Sequence, residues 1–100
     1  MTFRELEGLT IITTLEEATS HKLEYVFPSR MITLDIHSSL EAVGFMAVIS
    51  KALAEKGIGC NPVSGFFHDH CFVPVERGEE AVAVLRGLAE KAGEEKKMLE

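Results

Sequence analysis

Met31-Ile32-Thr33-Leu34-Asp35-Ile36-His37 decides how this chain folds. Ile32, Leu34 and Ile36 alternate with Thr33, Asp35 and His37, the period-two pattern of a strand with one face buried. Ser38-Ser39-Leu40-Glu41 follows at once. A serine at the N-cap and a carboxylate in the first turn are how helices open. The spacing predicts a helix over about 40–56, ended by Gly57 just past its C-cap. On a wheel of about 100° per residue, Leu40, Val43, Met46, Ala47, Ser50, Leu53 and Ala54 share one broad face. Phe45, Val48 and Ala52 fall on the outward half, a pattern that reads as a contact surface.

Downstream, 58–66 reads as a second strand, weakened by Gly59, Pro62 and Gly65. Pro62 has no N–H for a ladder, which places that strand at an edge or a bulge. His68-Asp69 reads as a tight turn, 71–75 as a third strand and 79–92 as a helix, with Ala81, Leu85, Leu88 and Ala92 on one face. Upstream, Gly8 ends a charged start, Leu9–Thr13 is a short β-branched strand, and 15–22 is a polar turn or a single helical turn. From Met31 the order is β-α-β-β-α, the split βαβ pattern without its last strand. The fold expected is therefore α+β, a ferredoxin-like βαββαβ sandwich. In it the strand Leu9–Thr13 takes the place of the C-terminal edge strand, beside 31–37. One domain covers 1–93, and 94–100 is a charged, frayed tail.

Composition narrows the function. Ten basic against sixteen acidic residues give a formal charge of −6, a poor match for nucleic acid or an anionic membrane surface. Apolar residues make up 46% of the chain, yet no run approaches the roughly 18 residues of a spanning helix. Without a signal-peptide pattern the expected location is the cytoplasm, where Cys60 and Cys71 stay free thiols.

The stretch Thr33–Leu88 resembles an ACT domain, of the aspartate-kinase-like branch, in its glycine-containing first helix and Ala52-Leu53-Ala54-Glu55-Lys56-Gly57-Ile58. A tighter resemblance is to small stand-alone ACT proteins. It rests on His37-Ser38-Ser39-Leu40-Glu41-Ala42-Val43-Gly44, on Gly57-Ile58-Gly59-Cys60-Asn61 and on His68-Asp69-His70-Cys71-Phe72-Val73-Pro74. The opening Phe3-Arg4-Glu5-Leu6-Glu7-Gly8-Leu9-Thr10 fits as well. The resemblance implies a non-enzymatic regulatory module that binds an amino acid or similar small carboxylate, needs no cofactor, and forms a homodimer. Two departures stand out. Amino-acid-binding ACT domains carry Pro-Gly where this chain has Ser38-Ser39. Relatives also carry a further N-terminal segment, so part of a two-module arrangement is expected outside this chain or from a partner.

Candidate ligand contacts follow from chemistry and resemblance together. At His37-Ser38-Ser39-Leu40 the free N–H groups of a helix start favour a carboxylate, although a serine there also serves simply as a cap. Asn61 offers a donor and an acceptor, suited to an ammonium and carboxylate pair, and equally suited to a bulge beside Pro62. His68 and His70 could share a metal, but zinc wants three or four ligands and no C-x₂-C pair accompanies them. A turn with Asp69 at its tip is the simpler account, and no metal residues are assigned. Cys60 and Cys71 lie in apolar strands, where thiols act as small core residues rather than nucleophiles. The rival functions are a ligand-free protein-interaction module and a metal-binding protein built on the His68/His70 turn.

Overall fold

The computed structural model describes residues 1–34 and 43–99, with side chains as far as residue 90. Nine elements follow in order. They are strands β1 (Thr2–Arg4) and β2 (Leu9–Ile11), helix α1 (Leu15–Ser20), strand β3 (Ser29–Leu34), helix α2 (Phe45–Glu55), strands β4 (Asn61–Ser64) and β5 (Asp69–Pro74), a 3₁₀ turn (Val75–Arg77) and helix α3 (Gly78–Leu99). From β3 onward this is β-α-β-β-α, the ferredoxin-like order expected.

The three later strands form one antiparallel sheet in the order β3-β5-β4. β5, which closes the β4–β5 hairpin, is the central strand, and β3 lies at an edge. β3 and β4 are parallel to each other, one strand apart, and α2 lies between them in the chain. Alternation along β5 is regular. Asp69, Cys71 and Val73 are buried, and His70, Phe72 and Pro74 are half-buried on the other face. On the inner face Leu34, Ile49, Leu53, Ile58, Cys71, Val73 and Ala81 form one core, flanked by Ile32, Leu85 and Leu88. The inward alternation of β3 holds for Ile32 and Leu34; Ile36 is outside the described residues.

Helix α2 is shorter than the pattern of serine and glutamate predicts. It begins at Phe45 because Gly44 takes a left-handed φ of 88°, which a right-handed helix cannot include. Leu40 is outside the described residues, Val43 precedes the helix, and the buried stripe runs through Phe45, Met46, Ile49 and Leu53, with Ala47 and Ala54 exposed. The contact surface expected at Phe45, Val48 and Ala52 shrinks to Val48, since Phe45 packs on the core. The other end is as expected. Gly57 (φ 70°) donates to Ala54 O at 2.9 Å and Ile58 to Leu53 O at 2.9 Å, a Schellman close with both apolar partners buried.

At the N-terminus the expectation fails. β2 pairs with β1, not with β3, in a separate two-stranded sheet. The local partner wins because closing the four residues of the Glu5–Gly8 turn costs far less entropy than returning across the segment between Ile11 and Ser29. The turn is locked by reciprocal Glu5 and Gly8 backbone bonds of 2.9 and 3.3 Å. β1 carries too short and too charged a sequence to read as a strand. α1, where a turn or a single helical turn is expected, is a six-residue helix capped by Thr14 Oγ1, which accepts from the Glu17 N–H at 3.1 Å. At the C-terminus the backbone of α3 stays helical to Leu99, so the residues from Glu94 continue the helix.

Candidate functional site

The sheet register places the candidate residues. Leu34, Asp69 and Ser64 stand level across the three strands and mark the end where β3 hands the chain to the stretch 35–42. That stretch carries His37, Ser38, Ser39 and Leu40, which lie outside the described residues. The chain re-emerges at Val43, which is fully exposed, and at Gly44. Here α2 opens with no side-chain cap among the described residues and no acidic residue in its first turn. Its first N–H groups lack intrahelical partners, so the positive end of the helix dipole is uncompensated by described side chains.

Asn61 is elsewhere. It is exposed at the start of β4, level with Phe72 and Met31. Three residues of strand separate that row from Leu34, about 10 Å along the sheet. Within one copy, then, Asn61 sits at the opposite end of the sheet from Leu34. It lies instead on the sheet face away from the helices. Beside it, in the next row, Thr33 Oγ1 and His70 Nδ1 are 3.0 Å apart, across from Val63.

The histidine turn differs from the expected one. The loop is Gly65–His68, closed by Gly65 N–H donating to His68 O at 2.9 Å, and Phe66-Phe67 is its tip. Asp69 is not at the tip but buried at the start of β5, because the ladder reaches two residues further than the apolar run Cys71–Val75. Phe66 and Phe67 stack edge to face at 5.0 Å yet remain 79% and 72% exposed. They sit at the same end as Gly44, and sequence reading passed over them. Two adjacent aromatics following a glycine were the available signal. Among the described residues no three His, Cys, Asp or Glu side chains gather in a metal-like cluster.

Both cysteines are free thiols, hydrogen-bonded to each other, with Cys71 fully buried. Burial first, then the bond to Cys60 and the nearby Cys60 and Asp69 charges, push the Cys71 thiol up to about 12. A thiol held that firmly protonated is no nucleophile.

An antiparallel sheet with α2 and α3 packed on one face defines a ferredoxin-like α+β sandwich. An ACT-domain family model matches residues 26–87, and a second ACT-domain model matches residues 1–30. The chain belongs to the ACT-domain family. ACT domains are generally regulatory small-molecule-binding modules and typically not catalytic. No curated protein matches the chain. Among solved structures, a protein of unknown function from Vibrio cholerae, reported as a possible transport protein, is 46% identical. That likeness covers 85% of this chain and 65% of the other, with a TM-score of 0.81, so this chain spans just under two thirds of the relative's length. No helix among the described residues is long and apolar enough to cross a membrane.

Proposed function

We propose that this protein is a cytoplasmic regulatory ACT module that binds an amino acid or similar small carboxylate and catalyses no reaction. The observation that carries the reading is the start of α2. It is uncapped among the described residues, free of acidic side chains, and placed where the stretch bearing His37, Ser38, Ser39 and Leu40 enters it. A carboxylate there would meet backbone N–H donors and the positive end of the helix dipole together. In this reading the module works as a homodimer. Asn61, at the far end of its own sheet, contributes to the site of the second copy and not to its own.

Calorimetry on Ser39→Ala and Asn61→Ala tests this, using an amino acid that raises the melting temperature of the parent. Each substitution is expected to weaken binding by about 1.5–3 kcal/mol, the worth of a hydrogen bond to a charged group. Parent-like binding by both would place the ligand elsewhere. The Phe66–Phe67 tip favours a second reading, a protein-docking module without ligand, since exposed aromatics are typical anchors of interfaces. That reading expects no amino acid to shift the melting temperature.

A further inference from the structure

We propose that Cys60 and Cys71 form a two-coordinate thiolate site for a soft monovalent metal ion of the copper(I) class, on the helix-covered face of the sheet.

The sheet sets the pair. Cys71 is fully buried on β5, level with Pro62 of β4. Cys60 directly precedes Asn61, the first residue of β4, and packs half-buried against the same core. One step back from the Asn61–Phe72 row puts Cys60 beside Val73. The two cysteines therefore share a face and lie diagonally across neighbouring strands. Their thiols are hydrogen-bonded to each other, so both sulfurs occupy one space. Cys71 closes that space from within, and the solvent side of Cys60 is the way in. The site is independent of the carboxylate site proposed above, because this row lies at the other end of the sheet from Leu34.

The diagonal selects the chemistry. Diagonal neighbours have Cα atoms about 7–8 Å apart, whereas a disulfide takes about 4.4–6.8 Å. Direct closure to a disulfide would need the backbone to move, and an ion between the sulfurs spans the extra distance. The ligand count selects the ion. Among the described residues no three metal-ligating side chains cluster, so a four-coordinate zinc site is not built here. Soft thiolates favour copper(I), which accepts two ligands in line. A firmly protonated thiol is a poor nucleophile and still a ligand, because a bound cation deprotonates it outright. Binding is then an exchange with no change of oxidation state. One cation enters, two sulfur–metal bonds form, and both thiol protons leave to water. The net negative charge left on the site sits beside solvent, since β4 is an edge strand.

Anaerobic titration of the full chain with the copper(I)–bicinchoninate complex tests the proposal, because loss of its colour reports metal handed to the protein. The parent is expected to take one copper(I) per chain. Cys60→Ser and Cys71→Ala are each expected to hold it more weakly by at least about a hundredfold, or about 2.8 kcal/mol. Should buried Cys71→Ala fail to fold, half-buried Cys60→Ser decides, with its fold checked by circular dichroism. X-ray absorption at the copper edge should show two sulfur neighbours in the loaded parent, and Cys60 should no longer react with a thiol reagent. Without metal, diamide should not close an internal disulfide. No transfer, transfer that survives Cys60→Ser, nitrogen neighbours, one copper per two chains, or ready closure of the disulfide would overturn the proposal.

Discussion

Cys71 and Arg77 show how much single side chains decide here. Cys71 is sealed in the core against Cys60, and its thiol is pushed up to about 12. The native protein should therefore react with a thiol reagent at pH 8 once, at half-buried Cys60, and a second time only on unfolding. Two equal fast phases would contradict that. The same shift sets an alkaline limit. A thiol whose folded pKa lies above its unfolded value leaves stability intact below about pH 8.5 and removes it as pH rises toward the folded value, by at most about 1.4 kcal/mol per pH unit. Denaturant titration of Cys71→Ala should show a flatter loss above pH 9 than the parent. Arg77 works at the surface. Its guanidinium donates to Lys56 O at 2.9 Å and to Glu80 Oε2 at 2.8 Å, tying the end of α2 to the start of α3. That partner holds the Glu80 carboxyl below its usual range. The contribution is present above the unfolded carboxylate pKa and fades as pH falls through the lowered folded one. Arg77→Ala should melt earlier at pH 7, with the gap narrowing in acid. The inert cysteines were legible from their apolar neighbours. The tie from Arg77 to α2 was not, because Lys56 O and Gly57 O are backbone carbonyls about twenty residues away that no spacing reveals.

Elements were legible where local signals and tertiary contacts agreed. The alternation of Ile32 and Leu34, the Gly57 stop and the Ala81, Leu85 and Leu88 face all appear as expected. The start expected near Leu40 lies outside the described residues, and α2 as described begins at Phe45, after the left-handed Gly44. Gly44 is thus the sharper test of the helix boundary. A Cβ there meets nothing within 4 Å, so Gly44→Ala should cost only the backbone strain of a left-handed residue, about 1–2 kcal/mol in a denaturant titration. A neutral result would mean that the helix begins earlier. Leu34→Ala should cost about 2–5 kcal/mol even though β3 is an edge strand, because its side chain is buried in the core. A loss under about 1 kcal/mol would mean the register is wrong.

At the scale of the whole molecule the sandwich was legible, and the β1–β2 hairpin was not. Which strand accepts Leu9–Ile11 is settled by loop closure, not by its own residues, and three-residue β1 gave no pattern to find. The candidate site was legible as chemistry only in part. Asn61 could be read as a plausible contact, but only the β4–β5–β3 register separates it from the end of β3. The account therefore stands on ligand binding by a paired ACT module. Thermal melting of the parent protein in the presence of each of the twenty amino acids tests that most directly. A ligand at 100 times its Kd adds about 2.7 kcal/mol, and each kcal/mol moves the midpoint of a domain this size by about 4–8 °C. The account expects at least one amino acid to raise the midpoint by more than about 10 °C at saturating concentration; a melting temperature unmoved by all twenty would contradict it.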